Sequence, residues 1–179
     1  MTHVDASAEA PPSTPALASY PLLTTVGLFM EAHAGLTASL EHRLAEHCGA
    51  TGQSFEILLR LVRSPDHRLR MSDLAAQTTL TASGLTRAVD RLARDGLVVR
   101  QACAEDRRVS YAALTPAGED QIATALPVHV AHLAEIFEGA FTADELSSLE
   151  CLMRRLRDTL NPAAARASAP ADRPAPLEG

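Results

Sequence analysis

Apolar side chains return every three or four positions through Leu22, Val26, Phe29, Leu36, Leu40 and Leu44, with His33 on the same stripe. That spacing predicts a long amphipathic helix ending at Cys48 and Gly49. The stripe is narrow for its length, which suits a partner helix. A second helix is predicted over residues 52 to 63, with Phe55, Leu58, Leu59 and Val62 inward and Ser64 and Pro65 stopping it. Further on, Thr115 and Pro116 provide a cap and a first-turn proline for a helix running through Ile122, Leu126, Val130, Leu133, Ile136 and Phe137, with Pro127 expected to kink it. Thr142 and Glu145 form a capping box that opens a last helix carrying Leu146, Leu149, Leu152, Met153, Leu156 and Leu160.

The middle of the chain has another pattern. Ser72 is placed to cap a short helix over residues 73 to 77, a tight connection spans 78 to 80, and Thr81 caps a second helix that Gly96 ends. This is the layout of a helix-turn-helix. In the second of its helices Leu85, Ala88, Val89 and Leu92 share one face, leaving Ser83, Arg87, Asp90 and Arg94 outside. Its first turns expose Thr81, Ala82, Ser83, Thr86 and Arg87. Small and hydroxylated side chains let a helix enter the major groove of DNA, and a guanidinium can bridge the two acceptors of guanine. An ordinary surface helix has the same look, so the segment after Gly96 carries the distinction. Leu97, Val98 and Val99 read as a strand, residues 109 to 114 as its return, and Asp106, Arg107 and Arg108 lie between them. A hairpin beside a recognition helix is a wing, and an arginine at its tip suits the negative potential of a narrow minor groove. Asp106 is placed to hold the Arg108 guanidinium extended, but the residues alone leave open which arginine enters the groove.

Composition changes this picture in three ways. The net charge of −6 over 179 residues argues against an anionic partner only as an average. Residues 54 to 108 hold 10 arginines against 7 acids, whereas the remainder holds 6 against 15, so the basic excess sits in the middle block. Residues 1 to 18 and 161 to 179 are rich in Ala, Pro and Ser and read as disordered tails. No run is long and apolar enough for a membrane and no secretory leader is evident, so a cytoplasmic protein with no membrane partner is expected. Finally, there is no nucleophile elbow, HExxH or glycine-rich phosphate loop, so neither an enzyme nor a cofactor is expected.

Taken together, SDLAAQTTLTASGLTRAVDRLARDGLVVR, EDRRVSYAALTPAG and FTADELSSLECLMRRL resemble the multiple-antibiotic-resistance regulator (MarR) family of winged helix-turn-helix repressors, over about residues 20 to 160. The resemblance implies a mainly α fold with a small β wing: a winged helix-turn-helix domain over 52 to 114, flanked by dimerisation helices from 19 to 51 and 115 to 160. It implies a homodimer that binds pseudo-palindromic double-stranded DNA. Arg108 then enters the minor groove, Asp106 orients it, and Arg107 contacts phosphate. It further implies release by a small aromatic or phenolic effector, for which Phe29, Met30, His33 and Phe55 are the candidate lining residues. The alternative is a zinc- or redox-responsive regulator of the same fold. Its candidates are His42, His47, Cys48, His129, His132 and Cys103, although their spacing matches no metal motif and no metal site is assigned.

Overall fold

A computed structural model describes residues 13–48, 51–102, 106 and 109–168. The chain divides into two units inside its long second helix, one reaching Ser39 and the other starting at Leu40.

The first unit holds helix α1 (Thr14–Ala18) and most of α2 (Pro21–Cys48). Helix α1 lies within the segment expected to be a disordered tail, which corrects that boundary. The α2 stripe is formed as the periodicity predicts, yet Leu22, Val26 and Phe29 are exposed and only Leu44, in the second unit, is fully buried.

In the second unit the elements are α3 (Gly52–Val62), a 3₁₀ turn (Pro65–His67), β1 (Arg68–Arg70), α4 (Met71–Gln77), α5 (Ala82–Arg94), β2 (Val98–Ala102) and β3 (Ser110–Leu114). Three helices complete it: α6 (Pro116–Ala140), α7 (Ala143–Leu160) and α8 (Pro162–Ser168). The strands form one antiparallel sheet in the order β1-β3-β2. One core joins Ile57, Leu58 and Leu61 of α3, Leu74 of α4, Leu85, Val89 and Leu92 of α5, Ala112 of β3 and Ile122 of α6. Burying each large aliphatic side chain contributes roughly 1.5–3 kcal/mol.

Several sequence expectations change here. On α3 Phe55 and Leu58 are buried as expected, Ile57 and Leu61 are buried beside them, and Leu59 and Val62 only border the core. Ser72 is not a cap; α4 starts two residues before the expected 73, with Arg70 at the N-cap position, and the Ser72 hydroxyl donates to Asp73 instead. Strand β1 is additional to the predicted elements, and the first wing strand starts at Val98, with Leu97 linking α5 to it. Helix α6 runs as one element through Pro127, which removes one helical hydrogen bond and crowds the preceding turn without ending the helix. The largest correction is α8: part of the expected C-terminal tail is a helix, with Ala164 buried at 6% exposure.

Candidate nucleic-acid interface

Helix α5 is built to present one polar face. Its N-cap, Thr81, accepts the Gly84 N–H at 3.1 Å, and the chain leaves its C-terminus through Gly96 at φ 75°, a left-handed conformation that suits glycine. The inward face is that expected: Leu85, Ala88, Val89 and Leu92 are all buried. Thr81, Ala82, Ser83 and Arg87 are exposed and Thr86 is half-buried.

The side chains on that face differ in what they have left to offer. The Thr81 hydroxyl is engaged in the cap, and Thr86 donates to the Ala82 carbonyl at 3.0 Å, so each retains only part of its hydrogen-bonding capacity. Arg87 makes no hydrogen bond or ion pair among the described residues. Arg91 and Arg94 add positive charge in the last turn, where it also complements the helix dipole. Asp90, the acid on this face, is paired with Arg100 of β2 at 2.7 Å. The surface around Arg87 is thereby left cationic, and the same pair ties the helix to the wing.

The wing is an antiparallel hairpin in continuous register from Val98↔Leu114 to Ala102↔Ser110. At its outer end the Asp106 carbonyl accepts the Val109 N–H at 2.9 Å. Arg107, Arg108 and Cys103 lie outside the described residues. At its base, Thr115 donates its hydroxyl to the Gly96 carbonyl at 2.6 Å and accepts the Gly118 N–H at 3.1 Å, so one residue closes the hairpin and caps α6. Gly118 is needed here, because a Cβ would stand 2.1 Å from the Leu97 carbonyl oxygen.

Two features of this end of the molecule are missing from the sequence reading. The Asp90–Arg100 pair joins a helix to a strand, so no single-element periodicity reveals it. On β1, Arg68 and Arg70 lie 5.5 and 5.9 Å from the Tyr111 ring centre, and Arg70 Nε donates to the Tyr111 hydroxyl at 3.2 Å. This extends the basic surface to the sheet's other edge.

The sensing candidates fall in different places. Phe29, Met30 and His33 are exposed on α2. Phe55 is buried, its ring centre 4.4 Å from that of His129 on α6. Burial and, next, the charge of neighbouring His132 push the His129 pKa below the ordinary histidine value. Glu135 is held below the usual carboxylate range, first by its hydrogen bond from His132 and then by Arg43, whose guanidinium is 3.1 Å away. His42 pairs with Glu46, and His47 bonds the Arg43 carbonyl. The side chain of Cys48 is outside the described residues. Among the described residues no three His, Cys, Asp or Glu side chains gather as metal ligands, and no helix is long and apolar enough to cross a membrane.

Comparison with known proteins places this geometry. The MarR family model matches residues 49–109, which run from the start of α3 to the outer end of the wing. The chain resembles Sco3205, a MarR family transcriptional regulator from Streptomyces coelicolor solved in complex with DNA, with 30% identity and a TM-score of 0.71 over 77% of this chain and 87% of that one. It likewise resembles AbsC, a MarR family regulator from the same organism, with 31% identity and a TM-score of 0.70 over 77% and 93% of the two chains. It is also 34% identical to the HTH-type transcriptional repressor YetL of Bacillus subtilis (strain 168) over 100 residues, 56% of this chain. That match spans 59% of YetL, less than two thirds of its length.

Proposed function

From the premise that the chain belongs to the MarR family of DNA-binding transcriptional regulators, we propose that it is a repressor that binds a pseudo-palindromic operator as a homodimer and leaves it when a small effector binds. The observation that carries this reading is the exposed face of α5, with Arg87 unpaired among the described residues beside a wing that is anchored to the same helix. In this reading Thr81, Ala82, Ser83, Thr86 and Arg87 meet base edges and phosphates in the major groove. Arg108, oriented by Asp106, enters the minor groove and Arg107 contacts phosphate.

Dimerisation is supported by apolar surface that a lone chain leaves uncovered. Leu22, Val26 and Phe29 are exposed along α2, as are Leu152, Met153, Leu156 and Leu160 along α7. Helix α7 has a full capping box at Thr142 and Glu145 but buries none of its own residues, so a second copy is the natural cover for its stripe. The effector reading takes an aromatic or phenolic ligand.

The test is a gel-shift series on DNA from upstream of the protein's own coding sequence. Arg87→Ala and Arg108→Ala should each weaken specific binding by about 1–3 kcal/mol, and Arg107→Ala should lower the salt slope by about one unit. Half-sites should be centred about 10 base pairs apart, and a half-turn shift should abolish binding. Binding indifferent to both Arg87→Ala and Arg108→Ala would sink the assignment of these residues.

A further inference from the structure

Helix α8 ties the last long helix to the helix-turn-helix through two exchanged carboxamides. Asn161 ends α7, its N–H donating to the Arg157 carbonyl at 2.6 Å. It also begins α8, its side-chain Oδ1 accepting the Ala164 N–H at 3.0 Å. The other end of the same carboxamide, Nδ2, donates to the Ala76 carbonyl at 3.2 Å. That carbonyl belongs to the last turn of α4, where a helix leaves its own acceptors without donors. Gln77, the last residue of α4, returns the bond: its Nε2 donates to the Ala167 carbonyl near the end of α8 at 3.0 Å. Between these bonds α8 reads PAAARAS and Ala164 is buried, so small side chains let the segment lie close against its neighbours.

The position of this link gives it a consequence. Helix α4 is the first helix of the reading head, and within its seven residues the buried anchor is Leu74 alone. Its C-terminal end, which leads through the turn to Thr81 and α5, is held by Asn161 and Gln77. We propose that Asn161 and Gln77 are positioning residues that fix the reading head against α7, and so set the distance between the two reading heads of the dimer. This rests on the dimeric reading; neither residue is assigned a contact with DNA. The scale is adequate, because a seven-residue helix is about 10 Å long and successive base pairs are about 3.4 Å apart. Both heads of a dimer contribute, so a tilt of about 20° about Leu74, which moves an end of α4 by roughly 1.7 Å, changes their separation by about one base-pair step.

The experiment measures the full chain on its operator and on the same half-sites moved together or apart by one and two base pairs. Asn161→Asp keeps the oxygen that caps α8 but removes the donor to Ala76; Gln77→Ala removes the return bond. Wild type should lose about tenfold or more for a one-base-pair change, and each variant less than about threefold, with the salt slope unchanged because no phosphate contact is lost. Melting curves identify any variant that fails to fold, and in that case the other decides. Variants that discriminate spacing as wild type does, or that lose affinity equally at every spacing, overturn the proposal. If wild type itself ignores spacing, the dimeric reading fails and the inference falls with it.

Discussion

Replacing Gly118 with alanine should open the base of the wing. Gly118 is the third residue of α6, and a Cβ added there would stand 2.1 Å from the Leu97 carbonyl oxygen and 3.1 Å from Leu114 Cδ2. Carbon and oxygen in contact normally keep about 3.3–3.6 Å, so the backbones must part by roughly an ångström. The atoms that would move are those that close the hairpin. The Leu97 carbonyl accepts the Thr115 N–H at 3.1 Å, and the Thr115 hydroxyl donates to Gly96 at 2.6 Å. Overpacking of this kind costs about 1–3 kcal/mol, and each weakened hydrogen bond about 0.5–1.5 kcal/mol. Alanine's better helix propensity returns about 1 kcal/mol. The net expectation is a loss of about 2–3 kcal/mol, or roughly 4–12 °C in Tm for a chain of this size. Gly139, on the same helix, has no atom within 4 Å of its hypothetical Cβ, so Gly139→Ala should be neutral or stabilise by up to about 1 kcal/mol. Thermal unfolding followed by far-ultraviolet circular dichroism compares the two. A Gly118→Ala protein that melts at or above wild type would refute the steric reading.

Thr81→Ala removes the α5 cap and should cost about 0.5–2 kcal/mol in urea unfolding, with Thr81→Ser recovering most of it; equal losses for both would show that the hydroxyl is not what caps the helix. Asp90→Ala breaks an exposed pair and should change stability by less than about 1 kcal/mol, while freeing Arg100 and loosening the wing; a loss above about 2 kcal/mol would mean the pair belongs to a larger network. For His129, whose folded pKa is depressed by burial, the unfolded chain takes up the proton first as pH falls. Its contribution to stability is therefore complete above the ordinary pKa of about 6.5 and declines below it. Tm measured from pH 7 to pH 5 should fall less steeply in His129→Gln, and parallel curves would contradict this.

What the sequence made legible was whatever is settled within one or two helical turns. Thr81, Thr115 and the Thr142–Glu145 box each cap a helix through a residue three positions away, so their partners are visible in the string itself. The two faces of α5 were legible for the same reason: Leu85, Ala88, Val89 and Leu92 repeat at helical spacing and leave Arg87 outside. On α3 periodicity found Phe55 and Leu58, but the run Ile57, Leu58, Leu59 is apolar without a break, so it chose Leu59 and Val62 where packing buries Ile57 and Leu61. Strand β1 alternates as Arg-Leu-Arg but has three residues, too few to read as a strand, and it exists because β3 offers it an edge.

Helix α8 marks the limit most sharply. By composition, residues 161 to 168 belong with a disordered tail, since alanine and proline offer little apolar area to offset chain entropy. They are held instead by Asn161 and Gln77, whose partners stand 85 and 90 positions away in the chain. Such bonds leave no periodic trace, yet they govern how a reading head is aimed. The chemistry that meets DNA must therefore be sought in local patterns, because a helix has to display it on one face. The geometry that spaces two such heads can reside in long-range contacts between unremarkable residues, and only the folded chain reveals them.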